Sequence, residues 1–246
     1  SMKNILITGA NGGIGYAIAE QAIQAGYNLA LHYHKNDSNI DDLISNNQNK
    51  KIIKVKADIS NESDVIIMFE KINNHFGCLD ALINNASTIF PKSRLEDMDI
   101  KRLEDIFKTN TIGNILCAKH VIKHMSTKHG HNGGKIINIS SAASRLGAPN
   151  EYIDYACTKG AIDTLTTGLS LELADENILV NCIRPGFIDT KIHAKSGDPD
   201  RVERLKHNIP LKRAGKASEV ASAAIWLLSD GANYCTGTFI DIAGGK

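Results

Sequence analysis

Ile5-Leu6-Ile7-Thr8-Gly9-Ala10-Asn11-Gly12-Gly13-Ile14-Gly15 is the stretch whose reading decides the fold. Residues 5–8 form a short apolar run that reads as a buried strand. Residues 13–25 then carry a helical pattern that stops at Gly26. Between the two lie Gly9, Gly12, Gly13 and Gly15. Glycine there permits a tight turn, and it lets backbone N–H groups approach a pyrophosphate at the positive end of a helix. A glycine cluster alone is weak evidence, but it carries weight directly after the first strand of an α/β pattern.

Outward from this turn the same alternation continues. Strand patterns occupy 29–33, 52–57, 79–84, 135–140, 178–183 and 238–242, and helical patterns fill 40–46, 62–76, 100–125, 155–174 and 220–228. Ser60 or Asn61 is placed to cap the helix at 62–76, and Gly77 to end it. Apolar strands joined by crossover helices predict a mostly parallel, seven-stranded sheet covered on both faces. No linker, repeat or low-complexity segment interrupts the pattern, so residues 1–246 are expected to form one α/β domain. The longest irregular stretches are 129–134, 142–154 and 189–210. The last two follow strands, where ligands bind in open α/β sheets. Within 189–210, Asp198-Pro199 starts a short helix at 201–207 and Pro210 stops it, which suggests a cover over a substrate site.

Composition narrows the class. The 246 residues are 42% hydrophobic and 22% charged with a formal net charge of +1, ordinary for a folded globule. No basic stripe points to nucleic acid and no polybasic tail to a membrane surface. Cys78, Cys117, Cys157, Cys182 and Cys235 are scattered, without a C-x-x-C pair, and read as reduced thiols. Ser1 before Met2 reads as a cloning remnant, no apolar run approaches membrane-spanning length, and a cytoplasmic location is expected.

Chemistry first shows at Tyr155-Ala156-Cys157-Thr158-Lys159, where Tyr155 and Lys159 stand one helical turn apart on one face. A phenol with a reference pKa near 10 is a poor base at neutral pH. A neighbouring ammonium favours the phenolate, so the phenol can exchange a proton with an alcohol or carbonyl oxygen. Tyr152 lacks this arrangement, because Ala156 stands four residues beyond it.

The T-G-x-x-x-G-x-G spacing, with Gly9, Gly13 and Gly15 in place, resembles the short-chain dehydrogenase/reductase family. Further motifs follow in the expected order, and within the family the chain looks similar to bacterial 3-oxoacyl-carrier-protein reductases and glucose 1-dehydrogenases. The resemblance implies a Rossmann-type doubly wound fold. It also implies hydride transfer between a nicotinamide cofactor and a small alcohol or carbonyl compound, and assembly into a homodimer or homotetramer. Its cofactor contacts would be Gly9, Asn11, Gly12, Gly13, Ile14 and Gly15 in the turn, and Asp58 and Ile59 after the third strand. To these it adds Asn85 and Ala86 after the fourth strand, where Ser87 replaces the usual glycine, and Pro185, Gly186, Ile188 and Thr190 beside the nicotinamide. Its catalytic residues would be Tyr155 as acid/base, Lys159 also holding the ribose, Asn110 holding a water, and a serine that polarises the substrate oxygen. That serine is Ser141, with Ser140 as the alternative because the gap to Tyr155 is one residue longer than in much of the family.

An acid ending the second strand would bind the 2′-hydroxyl of NAD and repel the extra phosphate of NADP. Leu31-His32-Tyr33-His34-Lys35-Asn36 holds no acid and has a nearby cation. This favours NADP, with Tyr33 and His34 as contacts. Gly12 stands where many NADP-using relatives carry a basic residue, so NAD stays open.

Other patterns are weighed against these. His120, His124, His129 and His131 cluster near a helix end, but Lys119, Lys123 and Lys128 surround them and no metal is expected. Ala156, Gly160, Thr164 and Gly168 form a small-residue row that suits packing within the subunit or against a second copy. A non-catalytic NADP-binding sensor or scaffold on the same fold is the rival function.

Overall fold

The computed structural model describes residues 3–190 and 200–246. The expected helix start at Asp198-Pro199, with the rest of 191–199, lies outside the described residues. β1 (Asn4–Ile7) leads into α1 (Gly13–Gln24), followed by β2 (Asn28–Tyr33), α2 (Ser38–Ser45), β3 (Ile52–Lys56), α3 (Glu62–Phe76) and β4 (Ala81–Asn84). After a long loop come α4 (Ile100–Phe107), α5 (Asn114–Ile122), β5 (Gly134–Ile139), the short α6 (Ala143–Leu146), α7 (Ile153–Glu172) and β6 (Ile178–Pro185). β7 (Ile188–Asp189), α8 (Arg201–Leu205), β8 (Gly215–Lys216), α9 (Ala217–Leu228) and β9 (Phe239–Ile242) complete it.

The main sheet has seven strands in the order β3-β2-β1-β4-β5-β6-β9. Every neighbouring pair in it is parallel, a stricter arrangement than the mostly parallel sheet expected. Strand order reverses between β1 and β4, and in such sheets the crevice outside that switch point receives ligands. Strand residues alternate between two cores, because successive side chains point to opposite faces. Ile5 and Ile7 pack with Ile18, Ala22 and Leu227 on one face. Leu6 packs with Val65, Phe69 and Val121 on the other.

Local signals behave as their chemistry requires. The Asn61 side chain accepts from Asp64 N at 3.2 Å at the start of α3, and Gly77 ends that helix at φ 78°. The helix expected over 100–125 is instead α4 and α5 joined by a π-helical turn at Lys108–Gly113. There the Asn114 N–H donates to the Thr111 carbonyl while its side chain takes the Asn110 carbonyl at 2.7 Å. A Cβ at Gly113 would lie 2.7 Å from Ile59 Cγ1, so this turn lies hard against the end of β3. β7 and β8 form a separate parallel pair that no sequence period announced.

The histidines singled out near the end of α5 have plain partners. His120 Nε2 lies 2.8 Å from the Glu62 carboxylate, which also accepts from Lys119 Nζ, and His124 stacks on Phe69. Among the described residues, no helix is long and apolar enough to cross a membrane.

Candidate active site

The glycine turn is built by its neighbours. Thr8 Oγ1 accepts from Asn85 N at 2.9 Å and from Ala86 N at 3.0 Å, while Asn85 Nδ2 donates to the carbonyls of Thr8 and Gly9. β1 and β4 are thereby locked at the switch point. Gly9 adopts φ 62°, and a Cβ on it would lie 2.9 Å from Ala86 Cα. A Cβ on Gly15 would collide with the Gly9 carbonyl oxygen, so both glycines are required by close approach. Gly12 caps α1 without a side-chain acceptor, which leaves first-turn N–H groups directed at the crevice. Thr190 lies against Gly13, 2.9 Å from where a Cβ would stand. Asn11 Nδ2 donates to the Asn36 carbonyl and Asn39 Nδ2 returns a bond to the Asn11 carbonyl.

His32 belongs to this assembly and was read only as part of a strand. Its Nδ1 accepts from Gly9 N at 2.9 Å, and Nε2 lies 2.9 Å from the Ala57 carbonyl, so the proton belongs on Nε2. Burial pushes its pKa down to about 4, against the pull of the Ala57 carbonyl. A neutral imidazole therefore joins the glycine turn to the end of β3.

Beyond β2 and β3, His34, Lys35, Lys56, Asp58, Asp64 and Ile67 line a cleft of about 390 Å³. Burial raises the Asp58 pKa, but hydrogen bonds from the Ser60 hydroxyl at 2.7 Å and its N–H at 3.0 Å outweigh this and hold the carboxyl low. Ile59 is buried under the π-helical turn, and Tyr33 is half-buried at the end of β2. An acid does follow β2, one residue past the quoted stretch. Asp37 accepts from Lys54 Nζ at 2.7 Å, and Asp41 shares the same ammonium.

At the other end, α7 sets Lys159 one turn from Tyr155, its Nζ 5.5 Å from the ring centroid. Lys159 is 2% exposed and donates to the Ile139 carbonyl at 3.0 Å. Burial lowers its pKa to about 8, opposed by Cys182 and Asp163. Burial raises the Tyr155 pKa, while hydrogen bonding to the Ser141 and Ser87 hydroxyls and the positive charge of Arg201 act in the opposite direction. The two adjacent serines divide: Ser140 Oγ donates to the Lys159 carbonyl at 3.1 Å, whereas Ser141 faces the phenol and accepts from Ala143 N.

Asn110 is fully buried in the π-helical turn. Its Oδ1 accepts from Thr88 N at 2.7 Å, and its Nδ2 donates to the Thr88 carbonyl at 2.8 Å and to Thr158 Oγ1 at 3.3 Å. The side chain thus clamps the loop carrying Ser87 to α7. Pro185 is buried at the end of β6; beyond it a Cβ on Gly186 would lie 2.8 Å from Ala243 Cα, and Ile188 turns its side chain into the core.

Several contributors escaped the sequence reading. Ser87 was visible only as a departure from the family's glycine. Arg102 Nε donates to Asp154 at 2.8 Å, and its Nη1 reaches the Pro91 carbonyl, anchoring the start of α7 beside Tyr155. Arg201 joins Glu151 across a separation that no local pattern reports.

The residues present fit a dinucleotide. A Cβ would fill the cradle at Gly9 and Gly15. Lys159 has three N–H donors, and the Ile139 carbonyl is its hydrogen-bond partner among the described residues, so donors remain for ribose hydroxyls.

Comparison with known proteins agrees with this geometry. The sequence profile of the family described as enoyl-(acyl carrier protein) reductase matches residues 9–246. The uncharacterized oxidoreductase YgfF of Escherichia coli (strain K12) is 50% identical over 248 residues, covering 100% of both chains. A 3-ketoacyl-(acyl-carrier-protein) reductase from Brucella melitensis, solved in complex with NADH, superposes with TM-score 0.90 at 27% identity, covering 99% of this chain and 97% of that one. A short chain dehydrogenase from Burkholderia cenocepacia, solved with NADP, gives TM-score 0.89 at 26% identity over 99% and 97%.

Proposed function

Because the chain belongs to the short-chain dehydrogenase/reductase family, we propose that it is an NAD(P)-dependent oxidoreductase acting on a small alcohol or carbonyl substrate, with Tyr155 as acid/base. The observation that carries this reading is the buried Lys159 ammonium one turn from a phenol, beside the glycine crevice. When bound, a reduced nicotinamide supplies the hydride to the carbonyl carbon. Ser141 donates a hydrogen bond to the carbonyl oxygen, which gains negative charge as the carbonyl is reduced. Tyr155 gives its proton to that oxygen, and the positive charge of Lys159 supports the phenolate left behind. Asn110 keeps the Ser87 loop and α7 in register for the transfer, and in this reading it also holds a water for the proton relay. Asn11, Gly12, Ile14, Asp58, Ile59, Asn85, Ala86, Pro185, Ile188 and Thr190 are proposed to flank the cofactor. The described part of the proposed substrate cover is α8 and the residues up to Pro210, while 191–199 lie outside the described residues.

NADP is the preferred cofactor in this reading. Lys54 pairs with Asp37 and Asp41, and His34, Lys35 and Lys56 line, with Asp58 and Asp64, the cleft where a 2′-phosphate would stand. The proposal of a homo-oligomer, dimer or tetramer, is supported by open space beside Gly160 and Gly168 and by exposed Ile112, Ile115 and Leu171. A monomer mass by light scattering would remove that part. The binding-only sensor is disfavoured because mere binding has no need for a phenol one turn from a buried ammonium, a pair that is expensive to fold.

Purified protein assayed with NADPH and NADH against ketones, sugars and acyl thioesters tests the reading. Turnover abolished in Tyr155→Phe with cofactor binding retained supports it. Undiminished turnover in that variant, or binding with no turnover of any class, rejects it.

A further inference from the structure

Asp37 caps α2 and Asp41 lies in its first turn, on the stretch of chain that leaves β2. This stretch is fastened to the glycine turn. Asn11 Nδ2 donates to the Asn36 carbonyl at 2.7 Å, and Asn39 Nδ2 donates to the Asn11 carbonyl at 3.2 Å. Ser38 N donates to Asn36 Oδ1 at 3.1 Å, so the residues on either side of Asp37 are both held in the fastening. An acid about 20 residues beyond such a turn is placed to meet the adenosine ribose of a bound dinucleotide. Lys54 reaches these acids from another strand, its Nζ donating to Asp37 Oδ2 and to Asp41 Oδ1 at 2.7 Å each. In the register of β2 with β3, Leu31 stands opposite Lys54 and Tyr33 opposite Lys56. Lys54 and Lys56 therefore share one face of β3, about 7 Å apart along the strand. Lys56 in turn lines the cleft with His34 and Lys35.

We infer that Lys54 is a specificity-determining residue: by holding Asp37 and Asp41 it sets the ratio of NADP to NAD binding. The inference rests on the dinucleotide reading of the glycine turn and goes beyond it, since the sequence pattern pointed to Tyr33 and His34 for this choice. A phosphomonoester carries a charge of about −1.5 to −2 and is repelled by a carboxylate that has lost its cation. A 2′-hydroxyl is neutral and can donate a hydrogen bond to the same carboxylate. Removing Lys54 therefore acts on the two dinucleotides in opposite directions. The side chains of Lys54, Asp37 and Asp41 are 38%, 33% and 53% exposed, so water screens the charges and the effect shrinks with added salt. Asp58 and Asp64 also line the cleft. Asp58 accepts from the Ser60 hydroxyl and N–H, and Asp64 accepts from Asp58 N at 2.9 Å. These two acids stay the same in every variant below, so a change in the ratio isolates Lys54 and its partners.

A purely mechanical tie between α2 and β3 predicts something different. Loss of Lys54 would then weaken both dinucleotides alike and leave their ratio unchanged. Isothermal titration calorimetry of the full chain with NADP+ and with NAD+ reads both affinities without substrate or turnover. Lys54→Met is expected to lower the NADP+ to NAD+ affinity ratio on the order of tenfold. Lys54→Arg, which keeps the charge, is expected to restore most of the parent ratio. Asp37→Asn with Lys54 intact is expected to raise the ratio by about threefold or more, so it tests the inference even if Lys54→Met misfolds. Adding Asp37→Asn and Asp41→Asn to Lys54→Met is expected to bring the ratio back to the parent value or above it. An unchanged ratio in Lys54→Met, or a lower one in Asp37→Asn, overturns the inference. A parent protein that binds NAD+ the more tightly would reject the NADP preference alone, with the shifts between variants still deciding the role of Lys54. Binding of neither dinucleotide would reject the dinucleotide reading and this inference with it.

Discussion

Ser140 Oγ donates to the Lys159 carbonyl at 3.1 Å, tying the end of β5 to the second turn of α7. That bond orients the two neighbouring serines oppositely, one into the core and one onto the phenol. Ser141→Ala is therefore expected to lower kcat/KM by about 100-fold, the loss typical of one donor to a developing oxyanion. Ser140→Ala is expected to keep kcat within about threefold while lowering stability by about 1 kcal/mol through a lost buried hydrogen bond. Steady-state kinetics and urea unfolding of both variants check the division. The reverse pattern would exchange their roles.

Ser87 stands where relatives carry glycine, and its backbone neighbours are held on both sides. Ala86 N donates to Thr8 Oγ1, and Thr88 bonds Asn110 through both its N–H and its carbonyl. This places a hydroxyl on the phenol that favours its anion. Ser87→Gly is expected to move the acidic limb of the pH profile for alcohol oxidation upward. At neutral pH it should reduce kcat about threefold to tenfold. An unchanged profile would show that the hydroxyl does not act on Tyr155.

Much of this was legible in the sequence, for reasons that differ by element. The β1–α1 turn announces itself because strand period, glycine spacing and helix onset fall within eleven consecutive residues, 5–15. Tyr155 and Lys159 are legible because a single helical turn joins them. The π-helical turn was hidden, since it depends on an Asn114 side chain diverting a backbone carbonyl. β7 and β8 span two residues each, too short for a period to register. The bonds of His32 to Gly9 and of Arg201 to Glu151 join positions 23 and 50 residues apart, so only tertiary structure brings them together.

Lys159 exemplifies the tension between function and stability. Its pKa, lowered by burial to about 8 from 10.5, means that the folded state is disfavoured for binding a proton that the unfolded chain holds readily. The unfolded state binds more protons between those values, so this group's contribution to stability rises with pH across that window. Lys159→Met is expected to abolish turnover yet stabilise the cofactor-free protein by roughly 1–2 kcal/mol at about pH 7. The gain should shrink by about pH 10, where the parent no longer carries the buried charge. Urea unfolding at both values checks the sign, and a destabilised variant at the lower pH would contradict it.

His32 gives the opposite limb of the pH dependence. Its folded pKa of about 4 lies below the reference 6.5, chiefly through burial. Between those values the unfolded state holds the extra proton, so stability is present above 6.5 and is lost as pH falls toward 4. Integrated over that window the loss is roughly 3 kcal/mol. Protonated Nδ1 can no longer accept from Gly9 N, so the glycine turn should loosen with it, and dinucleotide affinity should fall in parallel. His32→Asn is expected to flatten the acid slope of urea stability between about pH 6.5 and pH 4 while weakening dinucleotide binding at neutral pH. A variant that keeps the parent slope would place the acid sensitivity elsewhere, in the carboxylates that titrate over the same range.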